Sequence, residues 1–140
     1  MIIGRIIAID FGIKRTGLAV TDPERIIASP LGVVPTDQLI PFLVDYINRE
    51  KVDILVVGEP RDLQGRDTDS SSKVREFYRR LRNKFPAIPI HLVDERFTSK
   101  IAQDAMIRGG MKKKDRRNKG NIDKISATLI LQSFLERLSG

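Results

Sequence analysis

The sequence predicts an α/β fold: a mixed five-stranded sheet, made of a three-strand antiparallel meander plus two parallel strands, with helices on both faces. Three observations carry this expectation. Ile2–Phe11 is a nearly continuous apolar run, as a strand buried on both faces requires. Two shorter strand-like runs, Gly17–Thr21 and Ile26–Val34, follow it at once across turn residues. From residue 38 onward the pattern changes to helix, strand, helix, strand, helix, helix, the alternation of parallel strands joined by crossovers.

Taken in order, Gly12 and Gly17 bracket the first turn, and Pro30 places the third strand at an edge or a bend. Between Gln38 and Glu50 the stripe Leu39, Phe42, Leu43, Tyr46, Ile47 is helical, with Asp37 or Thr36 as its expected cap and Pro41 confined to its first turn. Asp53–Gly58 is a short buried strand, followed by a loop over Pro60–Ser72 that contains Gly65. Val74, Phe77, Tyr78, Leu81 and Phe85 then recur at helical spacing, with Arg75, Arg79 and Arg82 opposite them. Ile88–Val93 is the last strand; Thr98–Arg108 and Ile122–Leu138 are the last helices. Neither a repeat nor a low-complexity linker interrupts the chain, so residues 1–140 are expected to form one domain.

Composition narrows the chemistry. The 140 residues include one His and no Cys, which excludes a disulfide scaffold, a thiolate zinc site and a cysteine nucleophile. The net charge is +7, and it is concentrated. Arg108, Lys112, Lys113, Lys114, Arg116, Arg117 and Lys119 are offset only by Asp115 within twelve residues, which points to a polyanionic partner. Gly109, Gly110 and Gly120 flank this segment, and such a segment can order on binding RNA. No stretch is long and apolar enough to cross a membrane, and the opening residues lack a signal-peptide pattern, so a cytoplasmic setting is expected.

Ligands on sheets of this type bind beyond the carboxyl ends of the parallel strands. Asp10 closes the first strand, where a carboxylate either accepts backbone N–H groups of the Gly12 turn or needs a compensating cation. Glu95 follows the last strand and precedes Arg96. Asp123 shares one helical stripe with Ala127, Ile130 and Phe134, so it is expected to face the sheet rather than solvent. Three carboxylates converging on one sheet end need a counter-charge, and hard oxygen donors of this kind suit Mg²⁺ or Mn²⁺. A pair of such ions can activate water and stabilise the leaving oxygen of a phosphodiester, and a neighbouring polycation can hold the nucleic-acid backbone. His91 is expected to be structural. The segment Asp10-Phe-Gly12-Ile-Lys-Arg-Thr-Gly17 also fits the phosphate-binding turn of actin-like and sugar-kinase ATPases, but those proteins hold nucleotide between two lobes.

Asp10-Phe11-Gly12-x-Lys14-Arg15-x-Gly17-x-Ala19, Val56-Val57-Gly58-x-Pro60 with Gly65, Asp94-Glu95-Arg96-x-Thr98, and Asn118-Lys119-Gly120-x-x-Asp123 with Ala127 together resemble the YqgF family. This is a bacterial group of ribonuclease H-like proteins related to Holliday-junction resolvases, with maturation of the 5′ end of pre-16S rRNA as its proposed role. The resemblance spans essentially the whole chain. It implies a ribonuclease H-like fold, with Asp10, Glu95 and Asp123 as the metal-binding acidic triad. It also implies Lys14, Arg15, Arg96 and Lys119 as basic groups beside the site. Glu59 and Arg61 depart from the family pattern, where apolar residues are frequent; Glu59 is a candidate fourth ligand and Arg61 a candidate phosphate contact. The expected function is a two-metal endonuclease on structured RNA, in the form of precursor rRNA. A resolvase of branched DNA and a non-catalytic nucleic-acid-binding module are the alternatives. A monomer or weak homodimer is expected.

Overall fold

The structure is a computed structural model that describes residues 4–59, 71–94 and 119–139. Strands β1 (Arg5–Asp10), β2 (Arg15–Thr21) and β3 (Ala28–Pro35) lead through a short 3₁₀ turn (Thr36–Gln38) into helix α1 (Leu39–Arg49). Strand β4 (Val52–Glu59), helix α2 (Ser71–Lys84), strand β5 (Ile90–Asp94) and helix α3 (Lys119–Ser139) complete the described elements. The expected helix over Thr98–Arg108 lies outside the described residues.

The sheet order is β3-β2-β1-β4-β5. β1 pairs antiparallel with β2 and β2 with β3, whereas β1–β4 and β4–β5 are parallel. This is the mixed five-stranded arrangement that the sequence predicts. β1 occupies the centre, which explains its unbroken apolar run: Ile6, Ile7, Ala8 and Ile9 are all fully buried. Alternate side chains divide between two cores. Ile7 and Ile9 join Leu55, Val57, Leu39, Leu43, Phe77 and Leu81 beneath α1 and α2. Ile6 and Ala8 join Val56, Val93, Ala127, Ile130, Leu131 and Phe134 beneath α3. Each of these large side chains contributes about 1.5–3 kcal/mol on full burial.

Pro30 lies on the edge strand β3, as expected, and at a bulge as well. Leu18 pairs with Gly32 and Ala19 with Pro30, so Leu31 is the extra residue. Gly32 takes a φ of +154°, a value that glycine adopts without strain. At α1 the expected side-chain cap is absent: the 3₁₀ turn precedes the helix, Gln38 occupies the cap position, and no side chain bonds the first amides. The Thr36 hydroxyl is instead committed to the β1–β2 turn. Pro41 falls in the first turn of α1, where its missing N–H costs nothing.

Candidate active site

β1, β4 and β5 run parallel, so their carboxyl ends share one edge of the sheet. β1 ends in Asp10, β4 in Glu59 and β5 in Asp94; Glu59 and Asp94 are paired in register. By strand alternation Asp10 falls on the same face as Ile6 and Ala8, the face covered by α3. Its antiparallel neighbour is Gly17. The parallel register Ile9 to Val57 puts Gly58 at the next position on its other side. Asp10 is therefore flanked in the sheet by two residues without side chains, a slot that any Cβ would narrow.

The turn beyond Asp10 is held by a hydroxyl pair from distant parts of the chain. Thr36 Oγ1 donates to the Gly12 carbonyl at 2.6 Å and lies 2.9 Å from Thr16 Oγ1. The Thr36 amide donates to the Lys14 carbonyl at 3.0 Å, and the Gly12 amide reaches Thr16 Oγ1 at 3.5 Å. Gly12 has a steric reason to be glycine, since a Cβ there would fall on the Arg15 carbonyl oxygen. Phe11 turns to the opposite face and stacks on Phe77, with ring centroids 4.8 Å apart. Lys14 and Arg15 project exposed from the same hairpin. Replacing Thr36 with Val keeps the shape and removes the hydroxyl, leaving the Gly12 carbonyl and Thr16 without that partner. A loss of about 1–2 kcal/mol in unfolding free energy is expected from denaturant titration.

The direction of α3 brings its amino end to this edge. Gln132, Leu135 and Glu136 share a surface hollow with Ile26, Ile27 and Ala28. Ala28 pairs with Thr21, whose hydroxyl accepts the Ile6 amide at the start of β1. The carboxyl half of α3 thus lies at the amino end of β1. Twelve helical residues lead back from Leu135 to position 123, about 18 Å at 1.5 Å per residue. From Ile6 to Asp10 the strand advances about 13 Å, so the helix reaches the edge where Asp10 stands. Ala127, Ile130 and Phe134, the stripe expected to face the sheet, are all buried against it. Ser126, three residues after Asp123, is 1% exposed, and its hydroxyl has no hydrogen-bond partner among the described residues.

Of the predicted acids, then, Asp10 is placed at the edge and Asp123 belongs to the amino-terminal part of α3 by its backbone. Glu95 lies outside the described residues, two positions beyond Val93, which is buried in the α3-side core. Arg61, Arg96, Arg108, Lys112, Lys113, Lys114, Arg116 and Arg117 also lie outside them, and Lys119 opens α3. Among the described residues no group of three metal-ligating side chains occurs. His91 is exposed, with its ring 5.2 Å from Phe134, in keeping with a structural role. Sequence reasoning missed the Thr16–Thr36 pair, because two threonines 20 residues apart leave no periodic signal.

The family described as "RuvX: Holliday junction resolvase" matches residues 4–137. The chain belongs to this family. Its relatives include a protein of Phocaeicola vulgatus named "Putative pre-16S rRNA nuclease", 51% identical over 132 residues, which are 94% of this chain and 95% of that one. A protein of the same name from Amoebophilus asiaticus is 51% identical over 132 residues, covering 94% of both chains. The fold of this family member is also that of Thermus thermophilus RuvC, solved in complex with a Holliday junction substrate. The TM-score is 0.59, with 18% identity over 96% of each chain. That architecture is the ribonuclease H-like one that the motifs imply. Among the described residues no helix is long and apolar enough to cross a membrane.

Proposed function

We propose that this protein is a divalent-metal-dependent endonuclease of structured RNA that processes the 5′ end of precursor 16S rRNA, with residues 1–140 working as one cytoplasmic nuclease domain. The observation that carries the reading is the position of Asp10. It ends the central strand, between Gly17 and the Gly58 position, on the face to which α3 brings its amino end. The names of relatives 51% identical across nearly the whole chain support rRNA as the substrate.

The donor set suits Mg²⁺ or Mn²⁺: oxygen ligands only, beside a glycine-lined slot. Asp10, Glu95 and Asp123 would hold the metal, with Glu59, at the end of β4, as a further candidate. Bound there, such ions supply Lewis-acid stabilisation of charge on the phosphate and lower the pKa of water. The chain's own residues do the rest. The Thr16–Thr36–Gly12 hydrogen bonds anchor the backbone two residues beyond Asp10, which limits how far the end of β1 can shift when substrate arrives. Lys14 and Arg15, exposed one turn beyond, neutralise the flanking phosphates, with Arg61, Arg96 and Lys119 in the same role. The partially positive amino end of α3 favours an anion at the same edge.

Arg108, Lys112, Lys113, Lys114, Arg116 and Arg117 dock the backbone of the substrate without reading sequence. Replacing Lys112, Lys113 and Lys114 together with Ala is expected to weaken RNA binding across sequences. The slope of log K against log salt should fall by up to about 0.7–0.9 for each lost phosphate contact. Anisotropy titrations over a range of KCl check this, and an unchanged slope would remove the segment from the interface.

A second reading, resolution of four-way DNA junctions, is favoured by the family description and by the shared fold with RuvC. The same acids would serve it. Cleavage of precursor rRNA and of a DNA junction, compared in one Mn²⁺ buffer, separates the two: rRNA cleavage at the 5′ end is expected. Binding of both without cleavage of either would leave a non-catalytic binding module.

A further inference from the structure

Helix α2 carries a second concentration of positive charge, which the whole-chain sum conceals. Outside residues 108–119 the net charge is only +1, yet Ser71–Lys84 holds six bases and one acid, Glu76. Half of these bases form one stripe. Lys73, Arg80 and Lys84 stand at i, i+7 and i+11, within about 20° of one line on the helix surface and about 17 Å from end to end. All three are exposed, and among the described residues none forms an ion pair, with Glu76 or with any other acid. Structural reasons for the cations are therefore lacking on the described surface, and the helix opposes its own charge along this line.

The stripe borders two hollows that share Ile40 and Arg80. One, of about 210 Å³, has an apolar floor of Phe11, Ile40 and Phe77, with Ile13 at its lip and Thr36, Lys73, Glu76 and Arg80 around it, so two cations outweigh one acid there. The other, of about 310 Å³, continues past Arg80 to Asn83 and Lys84. Ile13 is 58% exposed and lies three residues after Asp10 on the β1–β2 hairpin, so the channel opens across the sheet edge from the candidate active site. It then leads away along the α1/α2 side of the sheet, the face opposite α3.

We propose that this channel binds the single-stranded flank of the nucleic acid being cleaved. One unpaired base sits against Phe11 and Ile13, and successive phosphates follow Lys73, Arg80 and Lys84. Charge complementarity identifies the occupant as a polyanion, and the apolar floor between the cations identifies it as one with flat apolar groups between its charges. The combination of a cationic track and a stacking platform is what single strands require and what a duplex, with its base faces covered, cannot use. This inference rests on the proposed nuclease function for its biological sense, but its test does not depend on cleavage.

The experiment uses the full chain in EDTA, with fluorescein-labelled short oligouridine and a blunt RNA hairpin as separate probes, read by anisotropy. In the variant Lys73→Ala, Arg80→Ala, Lys84→Ala, oligouridine affinity is expected to fall at least tenfold and its salt slope to drop by about 2, at about 0.7 per contact. Hairpin affinity should change less than twofold. Ile13→Ser, which removes the apolar lip without changing the charge, should weaken oligouridine binding alone; both variants change exposed side chains, and circular dichroism verifies their folding. Unchanged oligouridine affinity in the triple variant would overturn the proposal, as would an equal loss for both probes. A wild-type protein that binds oligouridine in this manner yet cleaves no RNA in Mn²⁺ would refute the nuclease reading and leave the channel standing.

Discussion

Asp10→Asn is expected to abolish phosphodiester cleavage while leaving RNA affinity within about twofold. The substitution keeps the size of the side chain and some of its hydrogen-bonding capacity, and it removes the negative charge that a divalent cation needs at this edge. Because the residue ends the central strand between Gly17 and the Gly58 position, no neighbouring side chain in the sheet can take over its place. A fall of at least a thousandfold in the single-turnover rate is expected, corresponding to about 4 kcal/mol of transition-state stabilisation. Binding should persist because it is carried by cations elsewhere: Lys14 and Arg15 on the hairpin and the basic segment at 108–119. Single-turnover cleavage and anisotropy on the same preparation check both halves. Full activity in this variant would remove Asp10 from the chemistry, and lost binding would mean that its role is structural.

Gly12→Ala is expected to combine a loss of stability with a loss of rate. Its new methyl group would meet the Arg15 carbonyl oxygen, which belongs to backbone and cannot swing aside. The hairpin must then open, and the Thr36–Gly12 and Thr16–Gly12 hydrogen bonds would lengthen or break. Overpacking of this kind costs about 1–3 kcal/mol. A displacement of about 1 Å that is passed from Gly12 to Asp10, two residues back, is enough to cost about a hundredfold in rate. Thermal melts and single-turnover cleavage at a temperature where the variant remains folded separate the two effects. Wild-type values for both would show that the turn does not position the carboxylate.

Most of the fold was legible because burial leaves a periodic trace. The Ile2–Phe11 run betrayed a central strand, although β1 itself spans only Arg5–Asp10. Phe11 extends the apolar run for another reason: it leaves the strand to stack on Phe77. Val74, Phe77 and Leu81 marked the inner face of α2, and Ala127, Ile130 and Phe134 that of α3. Interactions without a period were not legible. The Thr16–Thr36 pair spans 20 residues, and its claim on Thr36 is what defeated the expected cap of α1. Charge is illegible from its sum for a different reason: the net +1 outside 108–119 combines a basic helix over Ser71–Lys84 with acids elsewhere. At the site, Asp10 was legible as a carboxylate at a strand end, whereas its two glycine neighbours emerge only from the register.

The most direct measurement is a crystal structure of the wild-type protein soaked in Mn²⁺, with the ions located by anomalous scattering. Manganese is expected beside Asp10 at the carboxyl end of β1, at about the 2.1 Å typical of small hard cations on carboxylate oxygen, with Glu95 and Asp123 completing the protein ligands. A well-ordered edge that takes up no manganese, or an ion held without Asp10 while Glu95 and Asp123 point elsewhere, would contradict a metal-dependent nuclease.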